Sequence, residues 1–266
     1  MPDALFSVRD QVVLVSGGTR GIGRAIAMGF AARGAQVIVS GRQAETTAKA
    51  AADMNAALAE APAGHAVVGI ACDVADVQAI RQCVADVVAQ CGRIDTLVNC
   101  AGVNRRKPAM DVTEEDYDFV VDVNLKGAFF MSQEVGRHMQ TRHTGAQINI
   151  ASLNTDRPLL NVSPYAMSKA GMAGMTRALA AEWGPHGVRV NALAPGFILT
   201  DLTEKLWSDP TMHAWGVANT PQRRLGLPED MVGTALFLAS PAAAFLTGQI
   251  IYVDGGFTAA WHWPIA

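Results

Sequence analysis

A chain of 266 residues, half of them hydrophobic and only 17% charged, carries enough apolar surface for a large core, and α/β chains of this length commonly form one domain. Its formal charge of −3, from 21 Lys and Arg against 24 Asp and Glu, gives no basic face for nucleic acid and no basic run for an anionic membrane. No stretch reaches the ~18 apolar residues of a membrane span, and the segment from Met1 to Ser7 lacks the charged head and apolar run of a secretion signal. The expected location is therefore the cytoplasm.

In chain order, the apolar run Val12-Val13-Leu14-Val15 reads as a strand and leads into Ser16-Gly17-Gly18-Thr19-Arg20-Gly21-Ile22-Gly23, after which Arg24 to Phe30 reads as a helix. Glycines at 17, 21 and 23 suit a tight strand-to-helix turn whose free N–H groups and positive dipole end face a pyrophosphate, because side chains there would block the approach. Further strands are expected near 36–40, 66–71, 95–99, 146–151, 188–192 and 249–253, alternating with helical stretches such as 44–61 and 76–91. Seven strands with helical connectors predict an α/β chain with a parallel, doubly wound sheet of the Rossmann type in a single domain. The α/β rhythm breaks at 196–226, which holds Pro210, Pro221, Trp207 and Trp215. A long insertion past the carboxyl end of a strand is where a substrate lid would sit; the other reading is a surface excursion packing both tryptophans into an oligomer contact.

The chemistry points to Ser152, Tyr165 and Lys169. Tyr165 and Lys169 share a helix face at i and i+4, so a lysine ammonium there is expected to lower the phenol from its usual pKa of about 10 toward neutrality. A phenol tuned in that way can pass a proton at physiological pH. Ser152 follows the apolar run Gln147 to Ala151 and would stand at a strand's carboxyl end, where its hydroxyl could hold a substrate oxygen.

The end of the second strand, Val37 to Arg42, carries no Asp or Glu to take a ribose 2′-hydroxyl. Arg42 and Arg20 could instead pair with a 2′-phosphate, which favours NADP, although small residues beside an arginine also tolerate NAD. Cys72, Cys83, Cys91 and Cys100 have no paired C-x-x-C spacing and read as reduced thiols. His65, His138, His143, His186, His213 and His262 show no ligand spacing, so no metal is expected.

Taken in order, these residues resemble the short-chain dehydrogenase/reductase family over almost the whole chain. The matches are Gly17, Gly21 and Gly23; Asp73-Val74; Asn99-Cys100-Ala101-Gly102; Asn124; Ser152; Tyr165 and Lys169; and Pro195-Gly196 followed by Thr200. Cys100 departs from the family's usual second asparagine. The resemblance implies an oxidoreductase acting on CH–OH groups, with Tyr165 as acid in carbonyl reduction and base in alcohol oxidation. It further implies that Lys169 bonds the nicotinamide ribose, Ser152 orients the substrate oxygen, and Asn124 holds a water linking Lys169 to solvent. Thr19, Ile22, Asp73, Val74, Asn99, Ala101, Gly102, Pro195, Gly196, Ile198 and Thr200 would join the glycines and arginines around the cofactor.

For the substrate, Val103-Asn104-Arg105-Arg106-Lys107 and Asn154 should border the active site. Arginines suit a carboxylate, and the Arg105–Arg106 pair resembles relatives acting on sugar acids such as gluconates. A 3-oxoacyl-carrier-protein reductase is the alternative, although its carrier-binding arginines would fall near Phe130 and His186. A non-catalytic dinucleotide-binding regulator is the other, since fold does not fix function. The family resemblance also implies a homotetramer, and the stretch from Phe257 to Ala266, with Trp261 and Trp263, is too apolar for a free tail.

Overall fold

Strands covered on both faces need no polar alternation, and β1 (Val12–Ser16) has none, since all five of its residues are buried. Its side chains divide by parity: Val12 and Leu14 enter one core, Val13 and Val15 the other. The computed structural model describes residues 4–58 and 66–259. Within these, β1, β2 (Gln36–Gly41), β3 (Val68–Ala71), β4 (Thr96–Asn99), β5 (Gly145–Ile150), β6 (Val188–Pro195) and β7 (Ile250–Val253) form one sheet in the order β3-β2-β1-β4-β5-β6-β7. Every pairing is parallel.

Helices cover both faces. On one side α3 (Val77–Cys91), α5 (Gly127–Arg142) and α6 (Ser163–Trp183) supply Ile80, Met131 and Met172, all fully buried. On the other, α1 (Gly21–Ala31), α2 (Ala44–Ala57) and α9 (Val232–Ala239) supply Ile26, Phe30, Met54 and Ala235. Burying each large side chain contributes about 1.5–3 kcal/mol. The seven-stranded parallel architecture expected from the strand rhythm is the one observed. The helix expected over 44–61 ends at Ala57, with 59–61 outside the described residues, and the sixth strand runs three residues past the expected 192, to Pro195.

The order places the site. The chain crosses from the β3 edge back to the far side of β1 to make β4, so the connections leaving β1 and β4 diverge over the carboxyl ends of those strands and open a cleft. Beneath it a polar ladder ties β4 to β5: Asn99 Nδ2 donates to Ser132 Oγ at 2.8 Å and to Asn149 Oδ1 at 2.9 Å.

The segment 196–226 is more regular than its sequence suggests. It contains the short helix α7 (Glu204–Trp207) and α8 (Pro210–Asn219), the latter capped by Asp209, whose carboxylate accepts from the N–H groups of Thr211 and Met212. The two tryptophans part company. Trp207 is 5% exposed inside a cluster with Leu153, Phe197 and Leu225, whereas Trp215 keeps 41% of its surface exposed.

Candidate active site

The β1–α1 turn forms one wall of the cleft. Gly17 has a positive φ of 69°, and a Cβ there would come within 2.6 Å of the Ala101 backbone, so the turn closes tightly on the end of β4. Gly21 also has positive φ, at 52°, and a Cβ there would meet, among the described residues, only Thr200 at 3.6 Å. Arg20, the N-cap of α1, makes no side-chain cap bond, so no capping side chain covers the start of the helix.

Thr19, Arg20, Ile22 and Gly23 line the cleft with Arg42, Asp73, Val74, Ala101 and Gly102. Pro195, Gly196, Ile198 and Thr200 close its far side. An uncapped helix start, a clearance before Gly21 and two arginines are a donor set that fits an anionic dinucleotide. Asn99, expected among the cofactor contacts, does not line the cleft; its side-chain Nδ2 donates to Ser132 and Asn149 below it. Cys100 does line it, a position that the sequence reading left without a role. Burial pushes its thiol up to about 11, against the pull of the nearby Lys169 ammonium and a hydrogen bond from the Gly23 N–H. The cysteine thus keeps a bond to the glycine turn where an asparagine is usual.

Tyr165 and Lys169 stand one turn apart on α6, as their spacing predicts. Lys169 is 4% exposed, and its Nζ donates to the Ile150 carbonyl at 2.7 Å. Burial lowers its pKa to about 8. The ammonium lies 5.7 Å from the centre of the Tyr165 ring. Tyr165 does not follow the sequence expectation: desolvation raises its phenol above the usual value, and the opposing pull comes from the Ser152 hydroxyl and the Arg106 charge. In this state the proton stays on Tyr165 at neutral pH, the form a general acid requires.

Ser152 is aimed by its neighbour. Asn154 donates to Ser152 Oγ twice, from its backbone N–H at 3.1 Å and from Nδ2 at 3.2 Å, and accepts from Leu159 N–H at 2.9 Å through Oδ1. With its acceptor sites taken, the Ser152 hydroxyl has its own proton left to donate. Asn154, expected to touch substrate, lines the neighbouring pocket and also braces Ser152.

Asn124 lies in a π-helical turn, Asp122–Lys126, between α4 (Glu114–Val121) and α5. Its fully buried side chain grips Val103 on both sides, accepting from the N–H at 2.8 Å and donating to the carbonyl at 2.9 Å, and also donates to Ser168 Oγ at 3.1 Å. The side chain of Asn124 therefore clamps the loop after β4. No residue pattern announces the π turn.

A second pocket opens beside the first, and the two meet at Ser152 and Tyr165. The loop 103–107 alternates against it. Asn104 and Arg106 line the pocket, whereas Arg105 and Lys107 turn away to Asp116. Arg105 pairs with Asp116 at 3.0 Å and Glu115 at 3.1 Å and lies 4.2 Å over the Phe119 ring. Lys107, the Thr113 backbone and Arg105 hold the Asp116 carboxyl well below the usual carboxylate range. Of the two arginines expected at the substrate, Arg105 is therefore a loop anchor and only Arg106 faces the pocket. Lys205, Trp207 and Leu159 also line it, and no sequence motif marks them.

A doubly wound sheet with a glycine-turn cleft at its switch point, meeting a Ser–Tyr–Lys group, defines the class of nicotinamide-dependent oxidoreductases. Comparison with known proteins agrees. Residues 17–258 match the family described as enoyl-(acyl carrier protein) reductase. Gluconate 5-dehydrogenase of Gluconobacter oxydans is 37% identical over 97% of this chain and 98% of its own. D-threitol dehydrogenase of Mycolicibacterium smegmatis is 40% identical over 95% of each. The crystal structure of a gluconate 5-dehydrogenase from Burkholderia cenocepacia in complex with NADP and tartrate superposes with a TM-score of 0.89 at 35% identity, covering 97% of this chain and 99% of that one. The chain belongs to the short-chain dehydrogenase/reductase family and is an oxidoreductase acting on CH–OH groups.

Burying Lys169 works against folding. Unfolded, the ammonium titrates near 10.5, but in the fold near 8, so between these values the unfolded chain holds the extra proton and stability rises with pH. Below pH 8 the whole penalty is present. Lys169→Met is expected to raise the melting temperature at pH 7, with a gain that shrinks as pH rises from 8 to 10.5, while turnover is lost. Calorimetry across that range checks it; a variant that is no more stable at pH 7, or a gain independent of pH, contradicts the burial penalty.

Proposed function

We propose that this chain is an NADP(H)-dependent oxidoreductase that interconverts a carbonyl and a secondary alcohol on a sugar-acid- or polyol-like substrate. The observation that carries the reading is the junction of the two pockets at Ser152 and Tyr165: one wall suits a dinucleotide, the other offers Asn104 and Arg106 to a polar substrate. NADP is favoured because Arg20 and Arg42 line the cleft and no acid ends β2. The nicotinamide, when bound, supplies or accepts the hydride.

The chain's own residues handle the oxygen. In reduction, Ser152 donates a hydrogen bond to the carbonyl oxygen and Tyr165 gives it a proton; in oxidation, Tyr165 takes the proton back. The Lys169 ammonium, Ser152 and Arg106 stabilise the phenolate formed in between. Residues 196–226 form the lid over this junction, with Phe197 and Trp207 on its inner side. A carrier-protein reductase draws no support from Phe130, which packs against the core, or from His186, stacked near His143 at 6.2 Å. The intact Asn124, Ser152, Tyr165 and Lys169 set likewise weighs against a non-catalytic regulator.

The assembly proposed is a homotetramer. Phe129 stands 36% exposed beside Gln133, Arg137, Gln140 and Glu182 in a groove between α5 and α6, a mixed aromatic and polar face of the kind that subunits cover. Trp261 and Trp263, expected in a subunit contact, lie outside the described residues; Phe257 packs within its own chain at 4.6 Å from Phe197. A monomer by sedimentation at micromolar concentration rejects the assembly.

A screen of gluconates, polyols and simple alcohols with NADP and NAD tests the reaction. Activity is expected with NADP on a polyhydroxylated member, and Tyr165→Phe is expected to lower kcat on it about 100-fold or more while cofactor affinity holds. Near-normal turnover in the variant removes Tyr165 from its role.

The two arginines should separate. Arg106→Ala is expected to raise KM for a sugar acid roughly ten- to a hundredfold, matching the ~1.5–3 kcal/mol of a charged hydrogen bond, and to leave a neutral polyol little changed. Arg105→Ala should keep KM within a few-fold. Steady-state kinetics on both substrates decides, and the reverse ranking refutes the assignment.

A further inference from the structure

The turn that leaves β6 borders both pockets. Gly196, Ile198, Leu202 and Thr203 line the cofactor cleft and the neighbouring pocket alike, so whatever fixes this turn fixes one wall of each. Its first part is held by the main chain: Leu199 N–H donates to the Gly226 carbonyl at 2.9 Å, and Gly226 N–H to the Phe197 carbonyl at 2.8 Å. Beyond Leu199 a side chain takes over. Thr203 is the N-cap of α7, yet its hydroxyl makes no cap bond to the helix and is turned back onto the residues before it.

Thr203 Oγ1 lies 2.6 Å from the Ile198 carbonyl oxygen, 3.0 Å from the Thr200 nitrogen and 3.2 Å from Thr200 Oγ1. A hydroxyl has one proton to give and two lone pairs to receive with. The Ile198 carbonyl can only accept, and at the shortest distance it takes the Thr203 proton. The Thr200 N–H and the Thr200 hydroxyl then donate to the Thr203 oxygen, which fills it. The main chain of Thr203 carries the contacts onward: its N–H donates to the Thr200 carbonyl at 2.9 Å, and its carbonyl accepts from Leu206 and Trp207 N–H groups, each at 3.0 Å. One residue thus joins Ile198 and Thr200, at the cofactor cleft, to Leu206 and Trp207, at the other pocket.

We infer that Thr203 is a positioning residue for this reaction, whose hydroxyl holds the cleft wall at Ile198–Thr200 and the pocket wall at Leu206–Trp207 in one fixed relation, so that cofactor and substrate binding draw on the same turn. The substrate half of the inference rests on the substrate class proposed above. A helix of four residues does not hold itself in place. The turn is half-exposed at Thr200 and Thr203, so water can replace the lost bonds and removing the hydroxyl loosens the turn rather than the fold.

Thr203→Val keeps the branched shape and removes the hydroxyl, whereas Thr203→Ser keeps the hydroxyl. In Thr203→Val, NADP binding to the full chain, measured by calorimetry without substrate, is expected to weaken about three- to tenfold, as for one or two neutral hydrogen bonds. KM for D-gluconate or galactitol, whichever the parent accepts, should rise by a similar factor with kcat little changed, and Thr203→Ser should restore both. Hydrogen exchange in Thr203→Val should quicken over residues 198–207 and not in α8 or β7. Unchanged NADP affinity in Thr203→Val, a serine variant that does not rescue, or faster exchange that spreads through α8 overturns the positioning role. Weaker NADP binding with KM unmoved overturns the link to the substrate pocket. A parent that binds NADP but turns over neither compound overturns the substrate class instead, and calorimetry and exchange still decide for or against Thr203.

Discussion

A lysine ammonium held out of water against a strand carbonyl is the constraint around which the site is organised. Lys169 Nζ reaches Ile150 at the carboxyl end of β5, and the groups around it are arranged to tolerate the charge. Gly102 leaves the space beside it, and the Cys100 thiol stands nearby, pushed up to about 11 by burial. Ser168, its neighbour on α6, donates to the Tyr165 carbonyl and accepts from Asn124. Through Asn124 the same node grips Val103, so the lysine's surroundings and the start of the substrate loop are one hydrogen-bonded unit. A charge that is costly to fold is tolerated where chemistry needs it.

That loop shows how one run of residues can serve two purposes. From Asn104 to Lys107 the side chains alternate, two toward the pocket and two toward Asp116. Asp116 is 4% exposed and belongs to a capping box with Thr113, so it fastens the loop to the first turn of α4 as well as neutralising two cations. Arg106 is then presented from a braced segment. A flexible loop would lose that orientation to conformational entropy when substrate binds.

The segment 196–226 follows the same logic with apolar contacts. Phe197 leaves β6 and meets Trp207, Trp215 and Phe257, while Gly216 lets α8 approach the indole. The helices of this segment are short, and α7 has four residues. Their positions therefore depend on this aromatic cluster more than on helix propensity. A Ser–Tyr–Lys group can serve any carbonyl; the rest of the pocket beside it is lined from the 196–226 segment and the 103–107 loop.

The sequence by itself determined the parts that depend on local chemistry. Apolar runs between helical stretches specified seven parallel strands, the glycines at 17, 21 and 23 specified the turn, and the spacing of Tyr165 and Lys169 put both on one face of α6, because periodicity and steric clearance are properties of neighbouring residues. What it could not determine depends on groups distant in the chain. Arg105 and Arg106 look alike in sequence, and Asp116, eleven residues on from Arg105 and folded against the loop, takes Arg105 out of the site. Asn99 reads alike in any strand, and only the fold brings its Nδ2 to Ser132 and Asn149. The direction of the Tyr165 shift was misjudged for the same reason, since desolvation is the sum over everything packed around a group and is settled only when the chain has closed over it.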